Sequence, residues 1–465
     1  MYDQVDIGAL DRASTLHPFT PLRAFSNGEL GGPRIMTDGQ GVRVRDAEGR
    51  EVLDGFAGLY CVNAGYGRTE IADAISKQAH QLAYYHTYAG HTNEPLAILS
   101  DRLVKMAPGD MDKVFYGLSG SDANETNAKL VWYYNNLRGK PRKKRIISRE
   151  RGYHGSSVIS GSMTGMSFYH DNMDLPFDIV LRTGVPHHYW GGNDAETERE
   201  FSARRAQELE ELILREDPET IGAFIAEPVL GTGGITPPPE GYWAAIQEVL
   251  RRYDILLIVD EVITAFGRTG AMFGSDLYEI EPDLITTAKG LTSAYVPMSA
   301  SLVSRKMTEV FEAHSDEVGP FSHGYTYSGH PLAAAAALAS LDVVEKDDLP
   351  NNAKVVGYYL NDRLNDAFDQ HPIVGEVRGV GLMAALEFVA DREVRRRFDP
   401  GLAVGARVSR ACLERGLIVR AMPHGDILGF APPLVATKED VDQMVEITQA
   451  AVAEVTNQLS QVGSF

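Results

Sequence analysis

The sequence predicts an α/β fold: a mostly parallel sheet of seven strands covered on both faces, with a separate α+β unit beside it. Three observations carry this reading. Short apolar runs recur at 113–116, 145–148, 178–181, 221–227, 255–260, 284–288 and 299–303. They are rich in β-branched residues and bounded by turn residues, as buried parallel strands are. Helical apolar spacing intervenes, at 203–214 and 242–252 among others, and supplies the crossovers that parallel strands need. After Pro331 the alternation stops. A long helical region to about residue 364 gives way to short strand-like segments at 374–377, 381–388 and 418–420, then to a helical tail at 439–458.

Taken in order, residues 1–35 read as an irregular arm, broken by Pro18, Pro21 and the Gly31-Gly32-Pro33 turn. HPFT at 17–20 is a candidate pocket wall, although packing of the arm explains it better. Two alternating runs around Ala47-Glu48-Gly49 predict a hairpin. Tyr60 and Tyr66 follow beside glycines in LYCVNAGYG, and helical spacing comes next. The large domain is expected at 76–335. Residues 1–75 then form an arm and part of a small domain, which 336–465 complete, so that the small domain is built from both chain ends. No internal repeat or low-complexity linker interrupts the chain.

At 465 residues the chain exceeds a single core, so two or three domains are expected. A hydrophobic fraction of 44% is ordinary for a soluble globular protein. The formal net charge of −20 argues against nucleic acid and anionic membrane surfaces as partners. Cys61 and Cys412 are the only cysteines and form no CxxC. That fits a reducing compartment, and a cytoplasmic location is expected. Without a Cys cluster or HExxH, no metal site is expected. The acidic start MYDQVDIGALD lacks the apolar core of a signal peptide, and no apolar run approaches the roughly 18 residues of a membrane span. The alanine-rich stretch 331–340 opens on a proline suited to a first helical turn and reads as a buried helix. The basic run KPRKKR at 140–145 reads as a solvated connection.

In an open α/β sheet, ligands bind beyond the carboxyl ends of the strands. There the run 255–260 ends in Asp260-Glu261 and the run 284–288 delivers Lys289. The run 221–227 ends in Glu227, where Pro228 stops the ladder. Each residue alone has a structural explanation: a cap or ion pair for Asp260, a solvated loop for Lys289, a salt bridge for Glu227. Jointly, three ionisable groups at one sheet edge favour a cofactor site, because buried charge needs a specific partner. A lysine that forms a Schiff base and an acid that holds a pyridinium nitrogen are the two protein groups a pyridoxal phosphate (PLP) enzyme needs. The turn GLSGSDANE, from Gly117, follows a strand and opens a helix. Gly120 and Ser121 are placed there to take a phosphate, while a plain helix start capped by Ser121 or Asp122 explains the same residues. In Arg151-Gly-Tyr-His-Gly155, Tyr153 is a candidate to stack on a flat heterocycle, and His154 reads as structural.

The motifs SGSDANETN, GYHGSS, IAEPVLGTGG, LLIVDEVITAFGRTG, DLITTAKGLT, HGYTYSGHP, VRGVGLM and APPL together resemble the class III aminotransferases, PLP enzymes of fold type I, over about residues 17–455. GLYCVNAGYG, GYTYSGHP and LIVRAMPHGD are similar to the ω-amine–pyruvate branch. The resemblance implies Lys289 as Schiff-base lysine and proton shuttle, and Asp260 as partner of the pyridine nitrogen. Val262 and Tyr153 would flank the ring, Gly120 and Ser121 would hold the phosphate, and Glu227 would order the site. Thr326 would reach the phosphate of the neighbouring subunit, with Tyr325 beside it, which makes a homodimer obligatory and leaves a tetramer open. Phe19, Tyr60, Tyr88 and Tyr153 would line the amine pocket. Gly429 stands where members acting on α-amino acids carry an arginine, which leaves space and makes Arg420 the carboxylate clamp, displaced when the amine is apolar. Tyr60 stands where the branch often has tryptophan. The implied reaction moves an amino group from a primary amine or ω-amino acid to a keto acid, pyruvate foremost, giving a ketone or aldehyde plus alanine. An aminomutase, epimerase or decarboxylase working without a keto-acid acceptor is the alternative within the family. A nucleotide-binding oxidoreductase is disfavoured, because no GxGxxG with a downstream acid follows the first strand.

Overall fold

The computed structural model describes residues 5–193 and 195–461. The first four residues of the acidic start that argues against a signal peptide lie outside this range. The arm is not wholly irregular. It carries helices at Ile7–Ser14 and Leu22–Ser26, the first capped by Asp6, which accepts from the Ala9 N–H at 2.9 Å. Strands β1 (Met36–Gln40), β2 (Arg43–Asp46) and β3 (Glu51–Asp54) follow, with β2 and β3 forming the expected hairpin.

Seven strands build the central sheet: β4 (Met111–Gly117), β5 (Arg145–Arg149), β6 (Val180–Thr183), β7 (Ile221–Ala226), β8 (Leu256–Asp260), β9 (Leu284–Thr287) and β10 (Ser299–Ser304). Their spatial order is β4-β10-β9-β8-β7-β5-β6. β10 alone runs against the others, antiparallel to both β4 and β9. Residues 288–298 contain only a 3₁₀ turn, too little chain for a crossover, so the strand must turn back. Every residue of β7, β8 and β10 is buried. Phe224 and Ala226 pack with Leu209, Trp243 and Ile246 on one face, while Ala223 and Ile225 pack with Ala128 and Val131 on the other. That two-residue alternation, with cover on both sides, is why these strands read as continuous apolar runs.

The small domain draws on both chain ends. β11 (Val374–Val380), β12 (Met383–Phe388), β14 (Arg420–Ala421) and β15 (Ile427–Phe430) form one sheet, whereas β13 (Leu417–Ile418) pairs with β3 in parallel and joins the N-terminal sheet. The single strand expected at 418–420 is therefore two strands in two sheets. The helical region after Pro331 is also two elements, Pro331–Lys346 and Leu349–Phe368, broken where Asp348 is left-handed (φ 48°) and Pro350 follows. The basic run at 140–145 is not solvated throughout: Lys143 is fully buried, and its Nζ donates to the carbonyls of Ile221, Tyr253 and Asp254 at 3.2, 3.0 and 2.9 Å. Three carbonyls replace the water that the ammonium loses, a convergence the sequence does not display. Among the described residues no helix is long and apolar enough to cross a membrane.

Candidate active site

β7, β8 and β9 are parallel neighbours, so their carboxyl ends open on one edge. Glu227, Asp260 and Lys289 follow from those ends and line a single cavity of about 420 Å³. Asp260 is buried among three hydrogen-bond donors. Its Oδ2 accepts from Asn124 Nδ2 at 2.8 Å and from His154 Nδ1 at 2.9 Å, and its Oδ1 accepts from the Val262 N–H at 3.2 Å. The acceptor role fixes the His154 proton on Nδ1, and its buried Nε2 has no partner. Thr286 of β9 donates to Asn124 Oδ1 at 2.6 Å and holds the amide in place.

Glu227 joins two loops. Oε1 accepts from the Tyr153 N–H at 3.1 Å and Oε2 from the Gly231 N–H at 2.7 Å. Burial raises its pKa above the ordinary carboxylate value. Lys289 has left-handed backbone (φ 37°), and its Nζ stands 5.7 Å from the centroid of the buried Tyr60 ring. Burial lowers the lysine's pKa, against the opposing pull of Cys61, Asp260 and Glu227.

Ser119, rather than Ser121 or Asp122, caps the helix Gly120–Leu137. It forms a capping box with Asp122, whose Oδ1 accepts from the Ser119 N–H at 3.0 Å. Ser121 is thereby spared the capping role and lines the cavity, where its Oγ accepts from the Ser156 N–H at 3.2 Å. Gly120 is tightly seated: a Cβ there would come within 2.9 Å of Val262 Cγ2.

Aromatic rings complete the wall. Phe19 packs on Tyr169 at 5.3 Å and Tyr169 on Tyr153 at 5.2 Å. Tyr169 and Arg420 line the same cavity, and Arg420 Cζ lies 5.7 Å from the centroid of the Phe56 ring. Phe56 in turn packs on Tyr60 at 4.4 Å.

The fold thus brings Gly120, Ser121, Tyr153, Glu227, Asp260, Val262, Lys289, Phe19, Tyr60 and Arg420 to one cavity. It does not bring Tyr88 or Thr326 there. Tyr88 stands half-exposed on a 3₁₀ turn, its Oη within 2.9 Å of where a Cβ on Gly324 would lie. Thr326 is exposed, and its carbonyl accepts from Tyr84 Oη at 2.6 Å. Gly429 does not leave free space either. A Cβ there would meet Met422 Sδ at 2.7 Å, Ile235 Cδ1 at 3.0 Å and Phe56 Cε2 at 3.2 Å. Gly429 pairs with Arg420 across β14 and β15, so the one arginine stands opposite the missing one. Sequence reasoning missed Asn124, Tyr169 and Phe56 and set His154 aside. Asn124 lies inside the phosphate-turn motif and is the one with a local signal.

Residues 25–452 match the model of the aminotransferase class-III family. The chain is a class III aminotransferase. It is 69% identical over 461 residues to an uncharacterized aminotransferase, y4uB, of Sinorhizobium fredii, with 99% of each chain covered. It is 56% identical over 457 residues to a diaminobutyrate–2-oxoglutarate transaminase of Halomonas elongata, covering 98% of this chain and 97% of that one. Its fold matches the omega transaminase of Pseudomonas jessenii, solved in complex with PMP, with a TM-score of 0.94 at 41% identity, covering 98% and 99% of the two chains.

Class III aminotransferases use PLP, and the cavity of this one fits it. Its volume suits a small cofactor with substrate. A buried carboxylate, a helix N-terminus cradled where a Cβ on Gly120 would not fit, and Lys289 all line the cavity.

Proposed function

We propose that this enzyme moves an amino group from a primary amine or ω-amino acid to a keto acid with one carboxylate, pyruvate being the acceptor. One observation carries the acceptor reading: Arg420 is the single guanidinium among the residues lining the cavity. One planar fork matches one carboxylate, and a second carboxylate would enter an aromatic wall without a partner. The Halomonas relative is named for 2-oxoglutarate, and that acceptor is the competing reading at this site.

Bound PLP supplies the aldehyde that takes up the amino group and the ring that accepts electron density from the donor carbon. The chain supplies the rest. Lys289 Nζ moves the proton, and burial favours the neutral amine it needs to be. Asp260, oriented by His154 and Asn124, would hold the ring nitrogen. Tyr153 and Val262 would flank the ring, and Gly120 and Ser121 would bind the phosphate. Thr326 and Tyr88 belong to this scheme across a homodimer. Both stand on one exposed surface that also carries Leu82, Tyr84, Tyr85 and Tyr327, an apolar face of the kind that subunits cover. Arg420 would clamp the keto acid.

A panel of amines, with β-alanine, putrescine and 1-phenylethylamine among them, scored for alanine formed from pyruvate and for glutamate formed from 2-oxoglutarate, tests the reading. Alanine well in excess of glutamate is expected. The reverse ratio would replace the acceptor, and isomerisation without any keto acid would replace the reaction class.

A further inference from the structure

Asp54 ends β3, is buried and lies outside the cavity lining. Its Oδ1 accepts from the Phe56 N–H at 2.9 Å. Its Oδ2 accepts from the Gly58 N–H at 2.7 Å and from Tyr66 Oη at 2.6 Å. The turn it caps is left-handed at Ala57 (φ 46°), Gly58 (φ 66°) and Tyr60 (φ 61°). Alanine and tyrosine hold such backbone only where the surroundings over-determine it, and strain of this kind gathers at ligand sites. The turn delivers two rings beside the cavity's two basic side chains: Phe56 stands 5.7 Å from Arg420 Cζ and Tyr60 stands 5.7 Å from Lys289 Nζ. The rings pack on each other at 4.4 Å, so neither moves alone.

We propose that Asp54, seated by Tyr66, is a positioning residue that sets the amine range of this enzyme by holding Phe56 and Tyr60 against Arg420 and Lys289. This rests on the reading of Lys289 as base and Arg420 as clamp. Tyr60 lines the cavity and Phe56 backs it, so loosening the turn widens the cavity beside Lys289. Bulky amines then gain relative to small ones. An aspartate that only anchored the hairpin would lower stability and leave the choice between amines unchanged.

The test uses the holoenzyme and two variants. Asp54→Asn keeps the shape and one acceptor but forfeits the charge and the second backbone bond. Tyr66→Phe removes only the phenol. The ratio of kcat/KM for 1-phenylethylamine to that for propan-2-amine is expected to rise about tenfold in Asp54→Asn, and less in Tyr66→Phe, as losing charge-assisted hydrogen bonds implies. The ratio of dissociation constants for acetate and benzoate, measured by calorimetry, is expected to rise with it. Ratios within about twofold of the parent in folded variants, against that tenfold expectation, overturn the proposal. Should Asp54→Asn prove insoluble, an unmoved ratio in Tyr66→Phe overturns it alone. Failure of the transaminase reading itself would show separately, as no amino transfer by the unaltered enzyme.

Discussion

Lys289 must be neutral to take a proton, and the cavity favours that form by withholding water from its ammonium. Its deprotonation therefore lies below the ordinary lysine value. Labelling of the apoenzyme by an amine-directed reagent is expected to modify Lys289 at a lower pH than the surface lysines, read by peptide mass. The same shift acts on stability. The folded chain binds this proton less tightly than the unfolded chain does, so the group costs stability below its unfolded pKa, and the cost fades as pH rises. Lys289→Ala is expected to bind PLP and lose turnover, with borohydride no longer trapping the cofactor on the chain. His154 acts one step back. Its Nδ1–H meets Asp260 at 2.9 Å, and its removal leaves that carboxylate with fewer fixed donors. His154→Ala is expected to lower kcat by about ten- to a hundredfold, the worth of a hydrogen bond to a charged group, with KM within about threefold. Lys289 and Asp260 were legible in the sequence because each stands where an apolar run stops. His154 was not, because the packing of the 151–155 turn behind β8 creates its partner, and an isolated histidine carries no sign of that.

At the scale of elements, the helix Gly120–Leu137 begins at the cavity wall, and Ser119 and Asp122 close its capping box. Its first residue admits no side chain, since a Cβ on Gly120 would sit 2.9 Å from Val262 Cγ2. Gly120→Ala must push Val262 toward the cavity. The expected result is a PLP dissociation constant about tenfold higher, near the cost of modest overpacking, with Tm nearly unchanged, measured by cofactor titration of the apoenzyme. Central strands were readable from periodicity because both faces are buried. β1 was not, since MTDGQ is polar, largely exposed and paired on one side only. β10 was legible as a strand but not in its direction, which the length of the preceding connection decides. The 418–420 run was misread because Val419 is a crossover between two sheets, and no local pattern marks a change of partner.

At the scale of the molecule, the two domains meet in buried charge. Arg378 of β11 pairs with Glu376 at 2.6 Å and with Glu387 at 2.9 Å. It also reaches into the large domain and donates to the Ile235 carbonyl at 3.0 Å and the Gly234 carbonyl at 2.6 Å. Arg151, two residues before Tyr153, donates to the adjacent Gly233 carbonyl at 2.8 Å. His187 links the two arginine systems. Its Nε2 donates to Glu376 at 2.9 Å and its Nδ1 accepts from Arg151 at 3.1 Å. The carboxylates and imidazole of His187, Glu376 and Glu387 are close enough to share a cation, but arginines already hold them. VRGVGLM was visible as a motif, yet its arginine's partners lie far away in sequence, so its task was not. The turn at 233–235 continues directly from Gly231, which holds Glu227, and Thr232, which lines the cavity, so the small domain holds this part of the cavity wall through two carbonyls. Burial would raise the Glu376 pKa, but the His187 hydrogen bond and the Arg378 charge together hold it at about 2. Its contribution to stability is therefore present above the unfolded carboxylate value and is lost as pH falls toward 2. Arg378→Met removes the cation from the buried Glu387 and the partly buried Glu376, and is expected to destabilise the fold by about 3–5 kcal/mol at neutral pH. Because those carboxylates must then take up protons to stay buried, the loss should shrink on acidification, so that the Tm gap between variant and parent narrows from pH 7 to pH 4. A gap that stayed constant across that range would mean that Arg378 supports the fold by packing and not by charge.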